Sequence, residues 1–115
     1  MNRSLPAAVT AGTAGTLRLS AVADSRLALE GPLTFATARS AHELGTRLLS
    51  RGGAGALEID CSAVTVADSA GLAVLLDWMR AAKGAGRPLR YAHLPASLSA
   101  LARISEVEEL LERGV

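Results

Sequence analysis

An aspartate and a serine stand side by side, Asp68-Ser69, where a strand pattern gives way to a helix pattern, and chemistry or recognition is best placed at that joint. Ala56 to Asp60 (Ala-Leu-Glu-Ile-Asp) alternates apolar and polar residues, as a half-buried strand does. From Leu72 the period changes. Leu72, Leu75, Leu76 and Met79 recur at i, i+3, i+4 and i+7, one face of a helix. Asp68 or Ser69 can therefore cap the free N–H groups of that helix's first turn. The Ser69 hydroxyl falls at the positive end of the helix dipole, where an added phosphate is tolerated.

Acyl transfer is one chemistry to weigh. Ala67-Asp68-Ser69-Ala70-Gly71 nearly matches the G-x-S-x-G nucleophile elbow, and Asp77 and His93 follow in hydrolase order. Against it, Ala67 replaces the glycine that the tight turn needs, 115 residues leave little room for a substrate pocket, and His93 leads straight into a proline-started helix. No catalytic residue is assigned, and the chain reads as a non-enzyme. His42 and His93 are far apart with no Cys or Asp at ligand spacing, so no metal is expected. The glycine clusters Gly12 to Gly15 and Gly52 to Gly55 lack the Lys-Ser/Thr of a phosphate loop, and no cofactor is implied. Cys61, the only cysteine, reads as a small buried apolar residue.

The helix after Ser69 carries more than its packing face requires. With Leu72, Leu75, Leu76 and Met79 inward, a turn of about 100 degrees per residue puts Val74, Asp77, Trp78 and Ala81 on the flank and back. Trp78 then either covers the domain's own edge or anchors a partner. The second reading is preferred, because Trp is enriched at interface hot spots. The expected partner-binding set is Asp68, Ser69, Ala70, Gly71, Val74, Asp77, Trp78 and Ala81.

These residues need a scaffold, and the elements around them supply one. Thr16 to Val22 and Arg26 to Glu30 alternate at period two, with the turn pair Asp24-Ser25 between them, which predicts an antiparallel hairpin. Gly31-Pro32 breaks the second strand. Thr34 or Thr37 then starts a helix that buries Ala38, Ala41, Leu44, Leu48 and Leu49, and Arg51-Gly52-Gly53-Ala54-Gly55 ends it. The strand Ala56 to Asp60 leads to the helix Ser69 to Lys83, stopped by Gly84-Ala85-Gly86. Pro88 to His93 is a fourth strand, and Pro95 opens a helix with Leu98, Leu101 and Ala102 inward. Ser105 and Glu108 have the spacing of a capping box for a last short helix carrying Val107, Leu110 and Leu111. The expected fold is α/β, a mostly parallel four-stranded sheet entered by a hairpin and packed with three to four helices. Residues 1–15 read as a loose leader or an edge strand, and 16–115 as one domain.

Half of the residues are hydrophobic, but the aromatics are only Phe35, Trp78 and Tyr91, so the core is aliphatic. Twelve basic against eleven acidic residues give a net charge of +1 without a block of either sign, which gives nucleic-acid binding no electrostatic support. A single cysteine suits a reducing cytoplasm. No apolar run reaches the roughly 20 residues needed to cross a bilayer, so membrane contact would run through a partner.

The strand-to-helix segment Asp68-Ser69-Ala70-Gly71-Leu72, followed by Leu75 and Leu76, resembles the signature of the STAS family. The segment Leu29-Glu30-Gly31-Pro32-Leu33-Thr34-Phe35-Ala36-Thr37-Ala38 is similar to the passage into the first helix of the Mla-type branch. Leu98, Leu101 and Ala102 to Leu111 fit the family's C-terminal helix. The resemblance covers roughly residues 17 to 112. It implies a protein-binding domain, in first place the cytoplasmic accessory subunit that binds the ATPase of an Mla-type phospholipid ABC transporter. Its alternative is an anti-sigma factor antagonist whose partner is a serine kinase. The resemblance maps Ser69 onto the residue that such kinases phosphorylate and Asp68 onto its acidic neighbour. Ala70 departs from the antagonists, which often have a second serine there, and agrees with the Mla-type relatives.

Overall fold

The computed structural model describes residues 7–10, 16–49 and 55–114. In chain order the elements are β1 (Ala7–Thr10), β2 (Thr16–Ala23), β3 (Arg26–Leu33), α1 (Phe35–Leu49), β4 (Leu57–Ala67), α2 (Ser69–Gly84), β5 (Leu89–Ala92), α3 (Ala96–Ile104) and α4 (Glu108–Arg113). The four strands expected from the alternating segments are all present, and Ala7–Thr10 adds an antiparallel edge strand beside β2. The β2–β3 pairing is the expected hairpin, while β3–β4 and β4–β5 are parallel. The glycine run expected to stop α1, apart from Gly55, lies outside the described residues.

Strand order decides where the helices go. The sheet runs β1-β2-β3-β4-β5 without a reversal, so the two parallel crossovers, each of the usual right hand, put α1 and α2 on the same face. That face is the apolar one. Leu17 and Leu19 from β2, Leu29 from β3, Leu57, Ile59 and Cys61 from β4, and Leu89 and Tyr91 from β5 are all buried. The opposite face carries the other half of the alternation: Arg18, Arg26, Glu30, Glu58, Asp60 and Arg90 are exposed or half-exposed. On it Glu58 accepts from Arg26 Nε at 3.1 Å and Arg90 Nη2 at 2.8 Å, an ion-pair row across three strands in register. A two-layer domain with one naked sheet face follows.

β4 is longer than its alternating segment, because Cys61 to Ala67 continues as strand through two register shifts against β3. The final helix also starts differently from expectation. Ser105 closes α3 instead of capping α4, Glu106 turns the chain at a φ of 61°, and the Glu108 carboxylate lies 3.4 Å from Arg103 Nε. No capping box forms, since Ser105 is taken up in the preceding helix end.

Two buried aromatic donors fix α2. Tyr91 Oη donates to the Leu75 carbonyl at 2.6 Å from the sheet below, and Trp78 Nε1 donates to the Ala41 carbonyl of α1 at 3.2 Å. Burial pushes the Tyr91 hydroxyl well above its usual range, with the neighbouring Cys61 adding to the shift.

Candidate partner-binding site

The site grows from one carboxylate. Asp68, in extended conformation between β4 and α2, accepts from Gly71 N on Oδ1 at 3.0 Å, the N-cap bond of α2. Its second oxygen, Oδ2, accepts from Phe35 N at 3.0 Å, the first residue of α1. One side chain thus serves the N-termini of two helices, which each leave unpaired N–H groups there. Gly71 allows the approach, because a Cβ at that position would collide with the Leu33 carbonyl. The two helix starts are consequently adjacent at the C-terminal end of β3 and β4.

Around this joint α1 and α2 leave an open groove of about 780 Å³, lined by Phe35, Ala38, His42, Ala70, Val74 and Asp77 among others. Its floor is made of small apolar side chains. Phe35 stands at its mouth with 83% of its surface exposed, the most exposed of the large hydrophobic residues among those described. At the far end His42 Nε2 lies 3.4 Å from Asp77 Oδ2, a contact that ties α1 to α2, and Arg80 Nη1 sits 3.9 Å from the other carboxylate oxygen. Ser69 is exposed as the first residue of α2, whose first turn contains no acidic residue.

Of the residues expected from sequence, Asp68, Ser69, Ala70, Gly71, Val74 and Asp77 are brought together here, although Gly71 and Val74 are buried. Ala81 is half-buried against the core. Trp78 requires a correction. Its side chain is 1% exposed and lies between the helices, over Gly45 of α1, where a Cβ would overlap the indole. It is a core residue and has no surface to offer a partner. The reason is that α2 is covered twice, by the sheet through Leu72, Leu75 and Met79 and by α1 through Val74 and Trp78.

Sequence reading missed the α1 half of the groove: Phe35, Ala38, Arg39, His42 and Glu43. The available signal was Phe35 itself, a lone aromatic directly after a strand end and ahead of the inward stripe. A hydrolase arrangement is not assembled, since Asp77 faces His42 and, among the described residues, no hydrogen bond joins the Ser69 hydroxyl to a histidine. His93 is exposed after β5, where its charge and that of Arg26 add to the hydrogen bonds from Ser62 that hold the Asp60 carboxyl below its usual range. Among the described residues no group of three His, Cys, Asp or Glu could hold a metal ion, and no helix is long and apolar enough to cross a membrane.

A family model described as "Mlab, STAS domain" matches residues 12–112. The chain belongs to the STAS family. Among solved structures, the STAS domain resembles the anti-sigma factor antagonist SpoIIAA in its unphosphorylated form, with a TM-score of 0.59 at 12% identity over 76% of this chain and 82% of that one. At that identity the likeness concerns the fold. No curated protein sequence matches.

Proposed function

We propose that this STAS domain is a non-catalytic binding subunit that docks the ATPase of an Mla-type phospholipid ABC transporter through the α1/α2 groove. The observation that carries the reading is Phe35, a large aromatic residue held out at the mouth of an apolar groove by the Asp68 carboxylate, next to the exposed Ser69. Leaving such a ring in water has a cost that a partner pocket removes, and aromatic anchors in desolvated pockets carry most of the energy at interfaces. The Mlab description of the matching family supports the transporter branch over its relatives. The domain would work in the cytoplasm, peripheral to the inner membrane through that ATPase, with no cofactor.

One observation favours a second reading, an anti-sigma factor antagonist. The Ser69 hydroxyl is open to a kinase at the start of α2, and the fold is that of SpoIIAA. Calorimetry with the purified ATPase and with an anti-sigma serine kinase separates the two. The transporter reading expects binding to the ATPase that weakens by about 2 kcal/mol or more in Phe35→Ala, the hot-spot range. Binding to the kinase alone transfers the groove to the second reading.

A further inference from the structure

Among the described residues Thr37 is the only fully buried threonine or serine, and it does not line the α1/α2 groove. Its hydroxyl is used in both directions. Thr37 Oγ1 accepts from Thr34 N at 3.1 Å, and its hydrogen has the Pro32 carbonyl at 3.1 Å and the Thr34 carbonyl at 3.2 Å within reach. The Thr37 N–H donates to the Thr34 carbonyl at 3.0 Å. This is the backward half of a capping box, in which the third helical residue holds the N–H of the residue before the helix. One side chain thus ties the end of β3 to the first turn of α1, and Phe35 lies inside the closed segment.

We infer that Thr37 is a positioning residue for partner binding: its buried hydroxyl fixes the passage from β3 into α1 so that the Phe35 ring is turned outward at the groove mouth. The phase of α1 gives the reason. Thr37 begins the buried stripe that continues with Ala41, Gly45 and Leu49. At about 100° per residue Phe35, two positions earlier, is turned about 200° from that stripe, towards solvent. The hydroxyl matters as well as the position. An apolar side chain would fill the same space but take away the acceptor that the Thr34 N–H uses, and the backbone next to Phe35 would loosen. Asp68 holds the Phe35 N–H itself while Thr37 holds the residues before it. A ring whose backbone is held before the partner arrives has less freedom to lose on docking, which strengthens binding. The binding half of the inference rests on the groove reading proposed above, whereas the hold on Phe35 does not.

Amide hydrogen exchange of the full chain without a partner tests the hold on Phe35. In Thr37→Val the Phe35 amide should exchange about tenfold faster than in the parent, and in Thr37→Ser, which keeps the hydroxyl, at the parent's rate. Thr37→Ala carries the same expectation as Thr37→Val and replaces it if the valine variant does not fold. Calorimetry with the ATPase tests the consequence. Thr37→Val should bind about tenfold more weakly than the parent and Thr37→Ser as the parent does, while in a Phe35→Ala background Thr37→Val should weaken binding no further. Parent-like exchange of the Phe35 amide in the variants without the hydroxyl overturns the inference. A binding loss that persists undiminished in the Phe35→Ala background, or that Thr37→Ser shares, overturns it as well and leaves Thr37 a structural residue only. If the parent itself does not bind the ATPase, the groove reading fails, and the exchange rates still decide whether Thr37 sets Phe35.

Discussion

Asp68 and Phe35 are 33 residues apart in sequence and joined by a 3.0 Å hydrogen bond from the Phe35 N–H to a carboxylate that also caps α2. Through this bond the start of α1 is set by the start of α2, and the exposed ring of Phe35 takes its position from both. A residue that looked from sequence like an ordinary helix cap is therefore the piece that joins the two helix starts at the mouth of the α1/α2 groove.

That double role is measurable. Asp68→Ala removes two charge-assisted acceptors and leaves two N–H groups seeking water, so urea unfolding should show a loss of about 2 to 3 kcal/mol, above that of a single cap. Asp68→Asn keeps one carbonyl oxygen for Gly71 N and should lose less, yet its partner binding should fall as far as that of Asp68→Ala. Full binding by Asp68→Asn would show that Phe35 does not depend on the second oxygen.

Trp78 behaves as core. Removing the indole empties a space between α1 and α2 and takes away the second donor to the Ala41 carbonyl, so Trp78→Ala should cost about 3 to 5 kcal/mol. Gly45→Ala should destabilise too, although alanine is the better helix former by about 1 kcal/mol, because its methyl group overlaps the indole. If Gly45→Ala raises the melting temperature, the helices are not packed through this pair.

The hairpin, the two strands behind it and the boundaries of α2 were legible because each carries its own period and punctuation, Asp24-Ser25 at a turn and Asp68 at a cap, whereas Gly31-Pro32, which reads as a strand break, lies inside β3 and only shifts its register against β4. The phase of α2 was not legible. A helical wheel assumes one buried face, whereas α2 has the sheet beneath it and α1 beside it, so Trp78 and Val74 read as its back although both are covered. Gly45, in the middle of α1, was the local trace of that packing and is uninterpretable until the indole above it is known. Phe35 was missed for the converse reason: its place ahead of the inward stripe was a signal, but the exposure of its ring depends on how α1 and α2 meet, which only the fold shows.

Alkaline stability follows from Cys61. Burial, helped by the negative charge of Asp60, pushes its thiol from 9.0 up to about 12. In the unfolded chain the thiol ionises near its ordinary value, so the folded state gains the advantage of a protonated thiol fully below pH 9.0 and loses it as the pH rises towards about 12. Urea midpoints should fall across that window, and Cys61→Ala should flatten the fall, leaving the part due to Tyr91. A thiol reagent should label Cys61 only on unfolding, and fast labelling of the native protein would contradict its burial.

Ser69 tests how a charge at this joint is used. A negative group on the first residue of α2 interacts favourably with the helix dipole by about 0.3 to 1 kcal/mol. The Asp68 carboxylate beside it opposes that gain, so the folded domain should be nearly indifferent to Ser69→Glu. At a docked interface the balance changes. The added charge would have to lose its water at the mouth of an apolar groove whose nearest acid is already committed to two N–H groups, and that loss exceeds what the dipole returns. Ser69→Glu should therefore melt like the parent and bind the ATPase, or the kinase of the second reading, much more weakly, while Ser69→Ala binds as the parent does. Equal affinity of Ser69→Glu and the parent, measured by calorimetry on folded proteins, would put Ser69 outside the interface and leave it only the first residue of α2.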